Sequence, residues 1–438
     1  LKFTVVSIGT EINLGLILNT NSKYIAEALT ELGLECNFMI TVRDNEHDIV
    51  SALKVCSSVS DIIIVSGGLG PTDDDLTREA IAKYLSRDLV RDNSLDESSL
   101  RFLKYIKNDD VTQGLLKQSL VPDGSVPIKP GVGSASGFLF QLDDGKIIFS
   151  IPGVPREMKD MFDKDVLPFI KERLVDKKKE SHTGGKAGSD EEVKILRKTI
   201  LLTTDISESQ IEFLLKDVKK TAIEKNIEIG ITANPGLIKI ILISQSYNAT
   251  DCKDSLNVIE NGIRDILDEN IYGKDDTSIG DSIKDAIDRS GMSITISTAE
   301  SITGGLISSL ITDTPGSSKY FKGSIIPYTD YSKKNVLGLD GKIIRSDGAV
   351  SKKVCLEMAK KAREVFNTDF AISTTGIAGP SIPEKGKDVG LVYCSIIGPG
   401  NIKEIYEKKF IGTRADIKFR TAQFILNRLR LAIIKKTN

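Results

Sequence analysis

The chain has no tryptophan and only two histidines among 438 residues. His47 lies in the polar stretch RDNEHD and His182 in the low-complexity run KKKESHTGGKAGSD. Neither adjoins a nucleophile-like motif, which argues against a Ser-His-Asp triad, since that arrangement needs one of them. The five cysteines, Cys36, Cys56, Cys252, Cys355 and Cys394, are far apart and form no CxxC. They suggest neither a zinc site nor a disulfide framework, and they point to a reducing, cytoplasmic compartment. No apolar run approaches the roughly 18 residues of a membrane span. Nor does one sign of charge prevail: 59 Lys and Arg stand against 61 Asp and Glu, a formal net charge of −2. That balance argues against bulk electrostatic binding to nucleic acid or an anionic membrane. Any catalysis must therefore use Ser, Thr, Tyr, Lys, Arg, carboxylates or a metal held by oxygen ligands.

What is present describes a multidomain α/β chain. The length exceeds what one hydrophobic core usually supports, so two or three domains are expected. The first segment, LKFTVVSIGT, reads as a strand and not a cleavable signal; its leading Leu fits an alternative start codon or a trimmed fragment. Over residues 1–175 strand and helix patterns alternate. Ser22 to Leu32 places Ile25, Ala28, Leu29 and Leu32 at helical spacing, and Gly33 stops that helix. LECNFMITV is the next strand, Asp48 to Ser57 a helix, and DIIIVS a fully buried strand. This βαβαβ order predicts a parallel sheet with ligands beyond its carboxyl-terminal edge.

Residues 176–195 are charged and poor in apolar groups, and are expected to form a solvated, cleavable linker. Residues 196–272 read as a small α+β domain. SESQIEFLLKDVKKTA is one amphipathic helix capped by Ser207, and two strands flank the turn Asn234-Pro235-Gly236. Residues 275–438 form a third domain, of α/β type. In it SIKDAIDRS is a helix, SITISTAE a strand and SITGGLISSLIT a helix. A fragment starting near Ile279 is expected to fold by itself.

Two motifs after early strands can carry chemistry. Ser66-Gly67-Gly68-Leu69-Gly70-Pro71-Thr72-Asp73-Asp74-Asp75 follows a buried strand. Its glycines let backbone N–H groups approach an anion, and Pro71, Thr72 and Asp73 supply helix-start chemistry. Asp74 and Asp75 suit a hydrated divalent cation, Mg²⁺ or similar, while Gly67, Gly68, Gly70 and Thr72 cradle a phosphate. The plain alternative is a tight turn with an Asp cap. Glu11, in Gly9-Thr10-Glu11, and Asn21, in Asn19-Thr20-Asn21, fall at the same sheet edge, where helix capping is the plain alternative. Ile151-Pro152-Gly153-Val154-Pro155-Arg156-Glu157-Met158 opens another helix, with Glu157 either a first-turn residue or part of the site.

The C-terminal domain carries Ala299-Glu300-Ser301-Ile302-Thr303-Gly304-Gly305 after a strand. Ser301 there is expected at a helix N-terminus and is the candidate nucleophile. Lys333 is the candidate base, and Tyr328, five residues earlier, a relay or orienting group. Thr375 and the amides of Gly376 to Gly379 could bind a carboxamide or phosphate, with Gly304, Gly305 and Arg414 lining the same site. Simple capping by Ser301 and an ordinary turn at Thr375 are the alternatives.

Together, GTEI with NTN, GGLGPTDDDLT and PGVPREM resemble the N-terminal domain of the CinA family, the competence/damage-inducible proteins. The loop Pro130-Gly131-Val132-Gly133-Ser134-Ala135-Ser136-Gly137-Phe138 is a variant of the family's Gly-Thr-Ala-Pro-Gly-Phe pattern. AESITGG, PGSSKYFKG, YTDYSKKNVLGL, GAVS, TGIAGP and GTRADI resemble that family's C-terminal nicotinamide-nucleotide amidase domain. Four departures stand out. Ile302 replaces a Cys, Ser324 a Gly and Asp330 an Asn, and SIPEKGKDVG places Asp388 where Pro is usual.

The resemblance implies an α/β protein of three domains: a molybdopterin-binding-protein-like domain, a small α+β KH-like domain in which no GxxG loop is evident, and a CinA C-terminal domain. It implies hydrolysis of nicotinamide mononucleotide to nicotinate mononucleotide and ammonia at the C-terminal site, without a cofactor. It implies metal-dependent cleavage of ADP-ribose at the N-terminal site, and a homodimer in pyridine-nucleotide salvage. The rival is a non-catalytic module binding a pterin or nucleotide, or a competence-associated interaction protein.

Overall fold

The structure, a computed structural model, describes residues 1–95, 117–183, 195–380 and 386–437. By contact density the chain divides into two units, Leu1–Arg197 with Gln245–Cys252, and Lys198–Ser244 with Lys253–Asn438.

In the first unit the apolar run after Leu1 becomes β1 (Lys2–Ile8), which pairs in parallel with β2 (Glu35–Val42) and β3 (Ile62–Ser66). Every residue of β3 is buried, as a strand covered on both faces requires. A short antiparallel pair, β4 (Leu89–Arg91) and β5 (Leu120–Pro122), stands apart. The main sheet continues through β6 (Val126–Ile128), β7 (Gly137–Gln141) and β8 (Ile147–Ile151), in the order β2-β1-β3-β8-β7-β6. β8 runs parallel to β3, and β7 and β6 return antiparallel. Period-two alternation sends Phe3, Val5, Ile62 and Ile64 into one core and Val6, Ile63 and Val65 into another. Helices Thr20–Glu31 and Glu46–Val59 cover opposite faces, each started by an asparagine, Asn19 and Asn45, whose side chain accepts a first-turn N–H. The chain goes from β1 to β2 on one side and on to β3 on the other. The crevice between the ends of β1 and β3 is therefore the topological switch point.

In the second unit β9 (Ile195–Thr203), β10 (Ile227–Asn234), β11 (Leu237–Ser246) and β12 (Ile271–Lys274) form a sheet in the order β10-β11-β9-β12. A second sheet holds β13 (Ile296–Glu300), β14 (Phe321–Ile325), β15 (Phe370–Gly376), β16 (Leu391–Ile397) and β17 (Lys403–Lys409), ordered β14-β13-β15-β16-β17. β13 is parallel to both neighbours, and β16 and β17 are antiparallel additions. The first sheet has an apolar core of its own, which includes Leu201, Ile211, Ile240 and Ile259, and it also contributes to the core of the second sheet. Leu202 and Tyr272 of the first join Ile283, Phe424 and Leu429 in one apolar cluster. Asp205 pairs with Lys408 (2.7 Å) and Arg428 (3.0 Å), and Glu269 with Arg428 (3.1 Å). A fragment cut near Ile279 would lose Leu202 and Tyr272 from this cluster.

Several local expectations are corrected. Pro71 does not open a helix; that helix is Thr77–Leu85, because Asp75 takes the loop's N–H groups into a turn first. The helix after Ser301 starts only at Leu306, since Gly304 and Gly305 hold left-handed φ values of 60° and 96°. The segment after Ser207 is two helices, Glu208–Leu214 and Lys216–Glu224, broken at Leu215. The charged segment expected as a linker begins inside the helix Leu167–Thr183, and its residues 184–194 lie outside the described residues.

Candidate functional site

The first cleft lies at the switch point of the first unit. It measures about 530 Å³ and is bordered by the loops after β1, β3 and β8. Glu11, Asn21, Gly67, Gly68, Gly70, Asp74, Asp75 and Glu157 all line it, whereas Thr72 stands beside it. Asn21 is buried and ties the loops together: its Nδ2 donates to Ser66 Oγ (3.1 Å) and to the Gly153 carbonyl (2.7 Å). Its Oδ1 has no partner among the described residues.

Asp75 shapes the glycine loop. Its carboxylate accepts from the Gly70 N–H (2.8 Å), the Thr72 N–H (3.0 Å) and the Thr72 hydroxyl. The Gly67 N–H is held by the Ile151 carbonyl (3.1 Å). Of the expected anion-binding amides, those of Gly68 and Leu69 therefore remain without a partner among the described residues. Asp74 is exposed on the cleft wall. The Thr72 hydroxyl holds its carboxyl below the usual range, helped by the Asp74 backbone N–H and the Lys117 charge. The Glu157 carboxyl is pushed up by burial, against the pull of the Ala135 N–H.

Residues outside every quoted motif fix this loop. Arg78 is fully buried and donates to the Leu69 and Ser136 carbonyls (both 3.1 Å). Burial lowers its guanidinium to about 10. Lys117 Nζ donates to the Thr72 (3.0 Å) and Asp75 (2.7 Å) carbonyls. Sequence reasoning missed both, since each reads as a surface charge on a helix; the only cue was their closeness to the loop and to β5.

The second site lies at the end of β13. Ser301 and Lys333 are both buried, and Lys333 Nζ donates to Ser301 Oγ at 3.0 Å. Lys333 is carried by the helix Asp330–Asn335, capped by Thr329 and Ser332. The Ser301 N–H is fixed on the Thr374 carbonyl (2.9 Å). Glu300, fully buried, accepts from the N–H groups of Gly305 (2.9 Å), Ile307 (3.0 Å) and Ser308 (2.9 Å). It is thus Glu300, and not Ser301, that meets the helix N-terminus. The N–H groups of Ile302, Thr303 and Gly304 have no partner among the described residues, which leaves donors beside the nucleophile position.

The other candidates are placed as follows. Tyr328 is largely exposed, and its hydroxyl accepts from Arg414 (2.5 Å), whose other nitrogen reaches the Gly379 carbonyl (2.8 Å). Thr375 is buried in β15 with its hydroxyl on the Ala349 carbonyl (3.0 Å). Gly376 packs where a Cβ would meet the Leu391 carbonyl oxygen and the Ile302 Cδ1, so Ile302 belongs to the wall under the site. Asp330 is exposed, and Asp388 pairs with Lys409 (2.6 Å). Residues 381–385 of the altered loop lie outside the described residues.

Among the described residues no group of three or more His, Cys, Asp and Glu side chains gathers as a metal cage. No described helix is long and apolar enough to cross a membrane.

Comparison with known proteins finds three domains along the chain. The "Probable molybdopterin binding domain" family matches residues 4–172, the "Damage-inducible protein CinA KH domain" residues 198–273, and the "CinA C-terminal domain" residues 277–433. A protein of Halothermothrix orenii described as competence-damage inducible is 38% identical over 421 residues, 96% of this chain and 95% of its own. A CinA-like protein of Dictyoglomus thermophilum is 34% identical over 437 residues, 99% of this chain and 100% of its own. The solved structure of a CinA protein of unknown function from Thermoplasma acidophilum is 33% identical, covers 37% of this chain and 94% of its own, and has a TM-score of 0.34. Matched along nearly its whole length by such relatives, the chain belongs to the CinA family, with a molybdopterin-binding-like N-terminal domain, a KH-like middle domain and a CinA C-terminal domain.

Proposed function

We propose that the C-terminal site hydrolyses the carboxamide of nicotinamide mononucleotide, releasing ammonia and nicotinate mononucleotide. The observation that carries this reading is the buried Lys333–Ser301 hydrogen bond. A serine with a lysine partner is a histidine-free nucleophile arrangement, and residues 275–438 contain no histidine. Lysine acts as a base only as a neutral amine, and removal from water is the general way proteins favour that form. Ser301 Oγ attacks the amide carbon as its proton passes to Lys333. The N–H groups of Ile302, Thr303 and Gly304, next in the chain to Ser301, serve as donors for the oxyanion. Lys333 then returns the proton to the leaving nitrogen, ammonia departs, and water hydrolyses the acyl-Ser301 ester by the same steps. Direct attack by a water held on Ser301 gives the same products. Trapping a nicotinoyl ester on Ser301 separates the two routes. Ammonia release from nicotinamide mononucleotide, with and without Ser301→Ala, tests the reading itself.

A second reading concerns the N-terminal cleft, supported by Gly68 and Leu69, whose N–H groups have no partner among the described residues and which line a space of nucleotide size bordered by carboxylates. We assign it cleavage of the ADP-ribose pyrophosphate. The residues fit a hydrated divalent cation held by one or two carboxylates and the substrate's phosphates, not a closed protein cage. Asp74 is the carboxylate best placed to hold it; Asp75, spent on the loop, keeps the cradle open. Such a cation would neutralise charge on the pyrophosphate. Formation of AMP and ribose 5-phosphate from ADP-ribose, and its loss in excess chelator, distinguishes this from simple nucleotide or pterin binding.

A further inference from the structure

The turn between β10 and β11, Asn234 to Leu237, reaches the first turns of the helix Arg414–Thr437. Gly236, at φ 74°, comes so close that a Cβ there would lie 3.0 Å from Arg420 Cα. Between the turn and the helix runs a groove of about 800 Å³. Its walls are apolar, from Pro235 and Leu237 on the turn, Phe419 on the helix and Leu306 after the Ser301 loop.

Three charged side chains border the groove. Asp416 is committed to the helix end, accepting from the Thr413 N–H at 2.8 Å. Arg414 turns to Tyr328 and Gly379. Lys418, one helical turn on and on the same face, has no hydrogen bond or ion pair among the described residues. Its Nζ lies 3.7 Å from where a Gly304 Cβ would stand, so the ammonium is beside the loop that follows Ser301. A half-buried, unpaired ammonium with apolar walls around it suits an anion carried on a larger body.

We propose that this groove is the outer half of the Ser301–Lys333 site, where Lys418 holds the phosphate monoester of a nucleotide substrate and the middle domain's turn forms the far wall. The substrate named here rests on the amide-hydrolysis reading above. The middle domain then belongs to the substrate site and is not only a spacer.

Ammonia release by the full chain from nicotinamide mononucleotide is compared with release from nicotinamide riboside, which lacks the phosphate. Lys418→Met should raise KM for the mononucleotide at least about tenfold more than for the riboside, with kcat little changed. Asn234 is exposed on the turn and offers a charge test. Asn234→Glu should raise KM for the mononucleotide and Asn234→Lys lower it, both more strongly at low salt. Calorimetric titration with ribose 5-phosphate asks the same question without turnover: the wild-type chain should bind it, and Lys418→Met at least about tenfold more weakly. Equal losses on both substrates, shifts of the same sign for the two Asn234 variants, or ribose 5-phosphate binding that is absent or indifferent to Lys418 would overturn the subsite. No ammonia from either substrate would overturn the amide reading, and the ribose 5-phosphate titration then decides the subsite alone.

Discussion

Lys333 Nζ meets Ser301 Oγ at 3.0 Å across 32 residues of sequence, joining the end of β13 to a short helix beyond β14. The pair is buried, so its hydrogen bond is not exchanged for water. Ser301→Ala should abolish ammonia release. Lys333→Met should cost roughly 10²–10⁴ in rate if the amine moves the proton. A loss below about tenfold in initial-rate assays would remove Lys333 from that role.

Glu300 predicts a different kind of loss. Its carboxylate satisfies three backbone N–H groups at the start of the helix Leu306–Thr312. Glu300→Ala leaves buried donors unpaired, at about 1–3 kcal/mol for each one that water cannot reach. Calorimetry should show a clear drop in Tm together with lost deamidation, because the loop carrying Ser301 is held by the same bonds. An unchanged Tm would mean that the loop is fixed by other contacts.

In the N-terminal cleft, Asp74 and Asp75 should separate. Asp74→Asn should weaken metal dependence of ADP-ribose cleavage while leaving the loop intact. Asp75→Asn should raise KM instead, since the Gly70 and Thr72 N–H groups lose their charged acceptor. Identical kinetic signatures for the two variants, measured against metal concentration, would contradict this division of labour.

The sequence motifs named most of the residues around both sites, because chemistry-bearing side chains follow strands at recognisable positions. What they do there was less legible. Pro71 and Ser301 both carry helix-start cues, yet Asp75 and Glu300 take the N–H groups that would have begun those helices. Which amides a carboxylate caps depends on loop φ values that spacing does not encode, such as those of Gly304 and Gly305. Arg78 and Lys117 were invisible for another reason: a cation turned onto backbone carbonyls looks like a surface one until those carbonyls are brought in from distant segments. The apolar contact between the middle and C-terminal domains was hidden likewise, since Leu202 and Tyr272 look like ordinary strand residues of their own sheet.

Glu157 supplies a pH test. Burial raises its folded carboxyl above the usual 4.5. The folded chain thus keeps a proton that the unfolded chain releases, and stability is lost as pH rises from 4.5 through the folded value. Glu157→Gln removes that dependence. It should match the wild type in Tm near about pH 4 and exceed it at pH 7. A variant less stable at pH 7 would show that the charged form is held by contacts stronger than the burial cost.

The last prediction concerns where the chain can be cut. A fragment from Lys198 keeps both sheets of the second unit, the cluster of Leu202, Tyr272, Ile283 and Phe424, and the ion pairs of Asp205 and Glu269 with Arg428. It should fold and retain deamidation. A fragment from Ile279 loses Leu202 and Tyr272 from that cluster, and Arg428 loses both carboxylates. Each large side chain removed from the cluster withdraws about 1.5–3 kcal/mol of burial, and the exposed apolar face invites association. Arg428 would also be left half-buried without a counter-charge. The shorter fragment should therefore be insoluble or melt well below the longer one. Equal Tm and equal deamidase rates for the two, measured side by side, would show that the C-terminal domain is self-sufficient and that the groove under the Asn234–Leu237 turn is dispensable for turnover.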